Sequence, residues 1–196
     1  MPDVPSAKLK YEGEPTSSGS VYLGLREWTR GTHGPDGLAR VRALLSPMAL
    51  EAFDARSIVS TSRVPAAAFR ALGEAMIQCF GLEGPGGFYI ACGSVAVSDL
   101  SSYMKVLMKL GTPSFVAQRF PRAWSHYFSD GKLEMGVCAS ESAEFSVTGA
   151  EVYGEPAILG TVGWVRAALI YAGAKRVSVQ HTRERSDVHR YRLSWT

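Results

Sequence analysis

Hydrophobic positions along the chain change their period near Gly131. Before it, apolar residues recur at three- and four-residue spacing, the mark of one buried helix face. After it they mostly alternate with polar residues, the mark of a strand with one face covered. Residues 1–19 show neither period and are rich in Pro, Ser, Gly and Glu, so they are expected to form a flexible arm, with a short strand at 7–11. Ser20 can cap a helix over 21–30, on which Val21, Leu25 and Trp28 share a face. Gly31 to Gly34 break it, and 37–45 resumes with Leu38, Val41, Leu44 and Leu45 in one stripe. Ser46 followed by Pro47 is a cap with proline in the first turn, which predicts a short helix over 48–53. Residues 57–64 alternate and are expected as a short strand or an extended connector. Pro65 opens a longer helix to Phe80, which Gly81 and the cluster Gly84, Pro85, Gly86, Gly87 terminate. A further helix is expected over 88–97, and Ser98 would cap the next, burying Leu100, Tyr103, Met104, Leu107 and Leu110. Thr112 and Pro113 open one more, carrying Phe115, Val116, Phe120 and Trp124.

From Gly131 onward, Leu133, Met135 and Val137 alternate with Lys132, Glu134 and Gly136, and after a break Phe145 and Val147 alternate with Glu144, Ser146 and Thr148. This predicts a β-hairpin with one apolar face. A central helix over 156–172 follows, bulky on one side (Ile158, Val162, Val165, Leu169) and small on another (Gly160, Gly163, Ala167). Small residues at that spacing let a second backbone come close. After Gly173, the runs 176–182 and 188–195 predict a second hairpin. The fold class is therefore α+β: N-terminal helices packed on a small antiparallel sheet made of two C-terminal hairpins, joined by a central helix. Residues 20–196 are expected to form a single domain.

Composition adds limits rather than a function. A hydrophobic content of 46% over 196 residues supports a full core, and a net charge of +3 does not call for an anionic partner. The three cysteines, Cys79, Cys92 and Cys138, are far apart, which favours buried thiols in a reducing, cytoplasmic setting over a disulfide framework. By strand parity Cys138 falls on the polar face and is expected to be the most exposed. No stretch has the length of a membrane span. The glycine cluster at 84–87 lacks the lysine of a phosphate-binding loop and the spacing of a dinucleotide fingerprint, and no serine sits in a nucleophile elbow.

Three landmarks carry a resemblance. They are Leu110 to Pro113 with Trp124 and Tyr127 to Gly131; the helix around Gly160, Gly163 and Trp164; and Gly173 to Thr182 with the closing Tyr191 to Trp195. Together they resemble an uncharacterised paralogous family of myxobacteria. The chain is also similar, more distantly, to the superfamily that joins the V4R domain, the haem nitric-oxide-binding domain and the Bet3-type trafficking subunits. That resemblance implies a non-enzymatic ligand-sensing or signalling module, often a homodimer, with an apolar pocket between helices and sheet. Its partner would be a small apolar molecule or a protein. A dimerising scaffold of Bet3 type is the alternative.

The residues expected to line the pocket are Trp124, Tyr127, Phe128, Trp164 and Tyr171. V4R relatives often carry zinc-binding cysteines at the turn of the last hairpin. Here that turn has none, which argues against zinc; no cofactor is expected, and the metal candidates, should one bind, are His181, Glu184 and His189, a nitrogen and oxygen set. On the register Thr182 opposite Val188, His181 faces His189 on the core side. A metal-dependent enzyme built on these three is the remaining functional class. Haem is expected to be absent, because no histidine occupies the middle of a long apolar helix. Arg190 and Arg192 share the outer face of the last strand, where Glu184 and Asp187 dilute them, so a solvated face is expected rather than a nucleic-acid patch.

Overall fold

The computed structural model describes residues 13–99 and 111–196. A short strand β1 (Thr16–Ser18) leads into helix α1 (Gly19–Ala43). Then come α2 (Pro47–Asp54), β2 (Arg63–Pro65), α3 (Ala66–Phe80) and α4 (Phe88–Asp99). Two short helices, α5 (Pro113–Ala117) and α6 (Phe120–Tyr127), precede the hairpin β3 (Lys132–Cys138) and β4 (Ser142–Thr148). Helix α7 (Gly154–Tyr171) connects it to the second hairpin, β5 (Ser178–Arg185) and β6 (Val188–Ser194). The two hairpins join through β4 and β6 into one antiparallel sheet of order β3-β4-β6-β5. The α+β architecture expected from the pattern is the one observed.

Local chemistry explains most boundaries. The cap of α1 is Ser18, whose Oγ accepts from Ser20 N–H at 3.2 Å, so part of the expected arm is strand and cap. The arm also pairs: Thr16 to Ser18 lie antiparallel to Arg63 to Pro65. The strand expected at 7–11 lies outside the described residues. Helix α1 continues through Gly31 and kinks only at Gly34, at φ 68°, where a side chain would be strained and Pro35 restarts the helix. His33 fastens that kink. Its ring stacks on Phe80 at 3.7 Å, and its Nε2 lies 3.0 Å from Gly86 O. Ser46 and Thr112 cap their helices as expected, each ahead of a proline. The helix expected from 113 is two helices, because Pro121 opens a new first turn. Ser98 lies inside α4, donating to Val95 O at 3.1 Å, and the helix it is expected to cap falls outside the described residues. The apolar face expected over 100–110 lies outside the described residues.

The sheet's inner face carries Leu133, Ala143, Phe145, Val147, Tyr191 and Leu193, all buried. Each large side chain among them contributes roughly 1.5–3 kcal/mol by leaving water. A bulge between Met135 and Cys138 breaks the expected alternation of β3. Val137 turns outward and is 72% exposed, whereas Cys138 is half-buried with its thiol donating to Ser114 O at 3.7 Å. All three cysteines are half-buried, so Cys138 does not stand out. On the outer face, Glu144 pairs with Arg190 and Arg192 at 3.0 Å each, and Arg190 also meets Glu184 at 2.8 Å. Those arginines are neutralised locally. Among the described residues, no helix is long and apolar enough to cross a membrane.

Helix α7 is sandwiched between the sheet and α4. Tyr191, fully buried, donates from its hydroxyl to Ile158 O at 2.7 Å and pins α7 to the sheet. On the other side the small stripe meets α4: a Cβ on Gly163 would lie 2.1 Å from Tyr89 O, and one on Gly160 would lie 2.9 Å from Cys92 Sγ. Gly93 answers from α4, where a Cβ would meet Gly163 O at 3.1 Å. Gly163→Ala is therefore expected to destabilise the fold by about 1–3 kcal/mol in urea denaturation. Gly31→Ala, which meets nothing within 4 Å in helix α1, is expected to stabilise it by up to ~1 kcal/mol.

Candidate functional site

An apolar cavity of about 60 Å³ lies where α4, α6 and α7 meet the start of β3 and the inner face of α1. Four of the five residues expected to line a pocket do so together: Trp124, Tyr127, Phe128 and Trp164. Val95, Cys92, Phe120 and Thr161 complete its walls near Trp164. Tyr171 does not belong to it. It lines an open groove of about 930 Å³ on the far side of the α4–α7 contact, with Tyr89, Val162, Arg166 and Val179. Positions 164 and 171 lie seven residues apart and face nearly the same way on α7, so about 10 Å of helix rise separates them.

The cavity wall is a set of edge-packed aromatic rings. Trp164 meets Phe120 at 5.3 Å and 70°, and Tyr127 at 5.9 Å and 76°. Such contacts add about 0.5–1.5 kcal/mol each beyond burial and hold the rings in place. Trp124 donates its indole N–H to Asp130 O at 3.2 Å, which turns its ring toward Phe128, 4.5 Å away. Tyr153 closes the cluster below. Its hydroxyl donates to Thr16 O at 2.9 Å and accepts from Asp130 N at 3.0 Å, joining the N-terminal strand to the start of β3.

Polar groups on this wall are few. Thr161 Oγ1 is spent on Ala157 O at 2.7 Å. Burial pushes the Cys92 thiol up, so it stays protonated at neutral pH. Burial first, and then the negative charge of Asp99, push the Tyr127 phenol up. Asp99 is itself held by Ser20, whose Oγ donates to Asp99 Oδ2 at 2.9 Å. Trp164 Nε1 is buried and has no hydrogen-bond partner. It sits near enough to the Tyr127 oxygen to favour the ionised phenol, yet no hydrogen bond closes between them. Leaving such a donor unpaired costs about 1–3 kcal/mol. Sequence reasoning named Trp164 as a lining residue but had no signal that its N–H would be unmatched.

The three metal candidates do not converge. His181 pairs with Tyr191, and Arg183 with His189, so the register differs by two residues from the expected one. Strand β5 runs on to Arg185 and bulges between Arg183 and Arg185, leaving a tight turn. The even shift preserves parity, so both histidines still share a face. His181 Nε2 lies 3.0 Å from His189 Nδ1, and their rings stack at 5.2 Å. Glu184 is drawn to Arg190 instead. Among the described residues, no three histidine, cysteine or carboxylate groups are placed to hold a metal ion.

No known family matches the sequence, and no curated protein matches it. Solved structures do match the fold. An Fe(II) unliganded H-NOX protein from K. algicida covers 91% of this chain and 96% of its own length at 8% identity, with a TM-score of 0.66. An H-NOX protein from S. oneidensis in the Fe(II)NO ligation state covers 91% and 99% at 9% identity, TM-score 0.66. An oxygen-binding H-NOX domain related to soluble guanylate cyclases covers 91% and 95% at 10% identity, TM-score 0.58.

These neighbours correct one expectation. Setting haem aside for want of a mid-helix histidine does not stand, because the fold is shared with proteins studied for haem distortion and for Fe(II) ligation. Of the described residues around the cavity, Cys92 and Tyr127 have the atom types of haem axial ligands. None of the histidines and no cationic side chain is among them, and 60 Å³ is well short of a porphyrin. The described residues thus do not complete a haem site. What the comparisons establish is that the chain has the fold of the H-NOX proteins.

The histidine pair makes a separate prediction. For His181, burial comes first and the positive charge of a protonated His189 second in lowering the pKa below its ordinary value. For His189, burial and then Arg183 lower it. A base whose folded pKa is depressed binds fewer protons folded than unfolded. The stability it contributes is present above the unfolded pKa near 6.5 and falls as pH drops toward the folded values. Denaturation midpoints are therefore expected to fall from pH 7 to pH 5, and the fall is expected to shrink in the double variant His181→Gln, His189→Gln.

Proposed function

We propose that this chain is a non-enzymatic ligand-sensing module that takes a small, largely apolar molecule into the cavity between α4, α6, α7 and the sheet. The observation that supports the reading is a single one: four of the aromatic residues picked out by the sequence line one apolar cavity. A cavity of about 60 Å³ has room for roughly two to four heavy atoms without rearrangement. Among the described lining residues the side chains are neutral, and burial raises the Tyr127 phenol and the Cys92 thiol, so these two are neither nucleophile nor base at neutral pH. That chemistry suits recognition better than turnover.

The position of the cavity suits sensing as well. It touches α4 through Cys92 and Val95 and α7 through Gly160 and Trp164, the two helices whose backbones approach most closely. A ligand that presses on either wall bears on a joint with no slack. The solved neighbours of this fold include proteins described in NO-ligated and oxygen-bound states, which agrees with a ligand-binding use of the same architecture.

Propane, with three heavy atoms, is the probe of suitable size. Saturation with propane is expected to raise the thermal midpoint of the wild-type protein, because a ligand that binds only the folded state stabilises it. Ala157→Leu places added carbon in the cavity and is expected to abolish the response. No shift in the wild type, or an equal shift in both proteins, would remove this reading.

A further inference from the structure

We infer that the indole N–H of Trp164 is the polar recognition point of the cavity, and that the ligand is an uncharged molecule with one hydrogen-bond acceptor, such as an ether or carbonyl oxygen, on an otherwise apolar body. The inference rests on the cavity reading above and narrows it to a chemical class.

Four buried side-chain polar atoms lack a partner among the described residues: Ser17 Oγ, Tyr22 OH, Arg26 Nε and Trp164 Nε1. Of these residues only Trp164 lines the cavity. Buried donors are almost always paired, and an exception asks for a reason. Packing alone gives none here. A phenyl ring at position 164 would keep edge contacts with Phe120 and Tyr127 and would carry no unmet donor. An indole earns its place when something with a lone pair enters the cavity.

Among the described lining residues, the other polar groups are less open to that acceptor. Thr161 Oγ1 already donates to Ala157 O. The Tyr127 phenol lies in the negative field of Asp99, which Ser20 holds in turn, and burial keeps it neutral. The Cys92 thiol is a weak donor. A charged ligand is disfavoured, because no side chain of opposite charge is among the described lining residues. Among the described lining residues, the Trp164 N–H is thus a buried strong donor without a partner, fixed by two aromatic neighbours at 5.3 and 5.9 Å. A site of this kind prefers a molecule that meets its donor over an isostere that leaves it unmet.

Dimethyl ether and propane are a matched pair: equal in heavy atoms and similar in shape, one with an acceptor oxygen and one without. Binding of each is measured by titration of the wild type and of Trp164→Phe, followed by NMR. The ratio of ether to propane affinity is expected to fall about fivefold in Trp164→Phe, the size of one net hydrogen bond. In the wild type the Trp164 indole N–H proton is expected to move downfield with ether and to stay nearly still with propane. An unchanged affinity ratio in the variant overturns the inference while leaving the cavity reading intact, provided both probes bind. Failure of both probes to bind the wild type removes the cavity reading and this inference with it. Should Trp164→Phe not fold, the indole resonance decides: equal shifts with ether and propane overturn the proposal.

Discussion

The close approach of α4 and α7 is the constraint on which the rest of the structure depends. Gly163 leaves no room for a side chain against the Tyr89 carbonyl, and Gly93 leaves almost none against the Gly163 carbonyl. Two helices brought this near have one relative position, since neither can slide without meeting backbone. From that joint α7 carries its bulky residues to the sheet, where the Tyr191 hydroxyl holds Ile158 O. The same joint divides space. On one side lies the aromatic-walled cavity, and on the other the open groove that Tyr171 and Arg166 line.

Burial then sets the chemistry. A wall made of edge-packed rings keeps its shape, so a donor built into it keeps its direction. Burial raises the phenol of Tyr127 and the thiol of Cys92, which leaves both neutral. In a low-dielectric space an unmatched N–H is expensive, and an acceptor that meets it is correspondingly favoured. The cost of about 1–3 kcal/mol is small beside the burial of the surrounding aromatic residues, so the fold tolerates it.

Much of the fold was legible because its signals are local. Caps followed by proline at Ser46 and Thr112, the glycine stop at Gly81, and the change of period at Gly131 each act within one turn of chain. The small stripe of α7 was legible as a packing face, though its partner α4 was not. The misreadings share one cause: they hang on long-range pairing. The bulge at Met135 to Cys138 reverses the faces of Val137 and Cys138, and nothing in the local alternation announces it. The last hairpin has a two-residue register offset because β5 extends through Arg185, and only pairing with β6 shows that. Glu184 was placed with the histidines by proximity in sequence, while Arg190 across the strand draws it to the other face. Four aromatic residues of the cavity were legible in the sequence, three of them because they cluster at 124–128, whereas Phe120 was not. Cys92, Val95 and Phe69 were missed as lining residues, since they arrive from separate helices. Haem was set aside on residue placement alone, and only the fold's likeness to the H-NOX proteins reopened it.

Diffraction from a crystal of this protein pressurised with xenon tests the central claim most directly. Xenon needs no hydrogen bond and settles in enclosed apolar space of sufficient size. The account predicts a single well-occupied xenon among Val95, Phe120, Trp124, Tyr127 and Trp164, with the α4–α7 joint unmoved. An undisturbed cavity with xenon lodged only in the outer groove would contradict it.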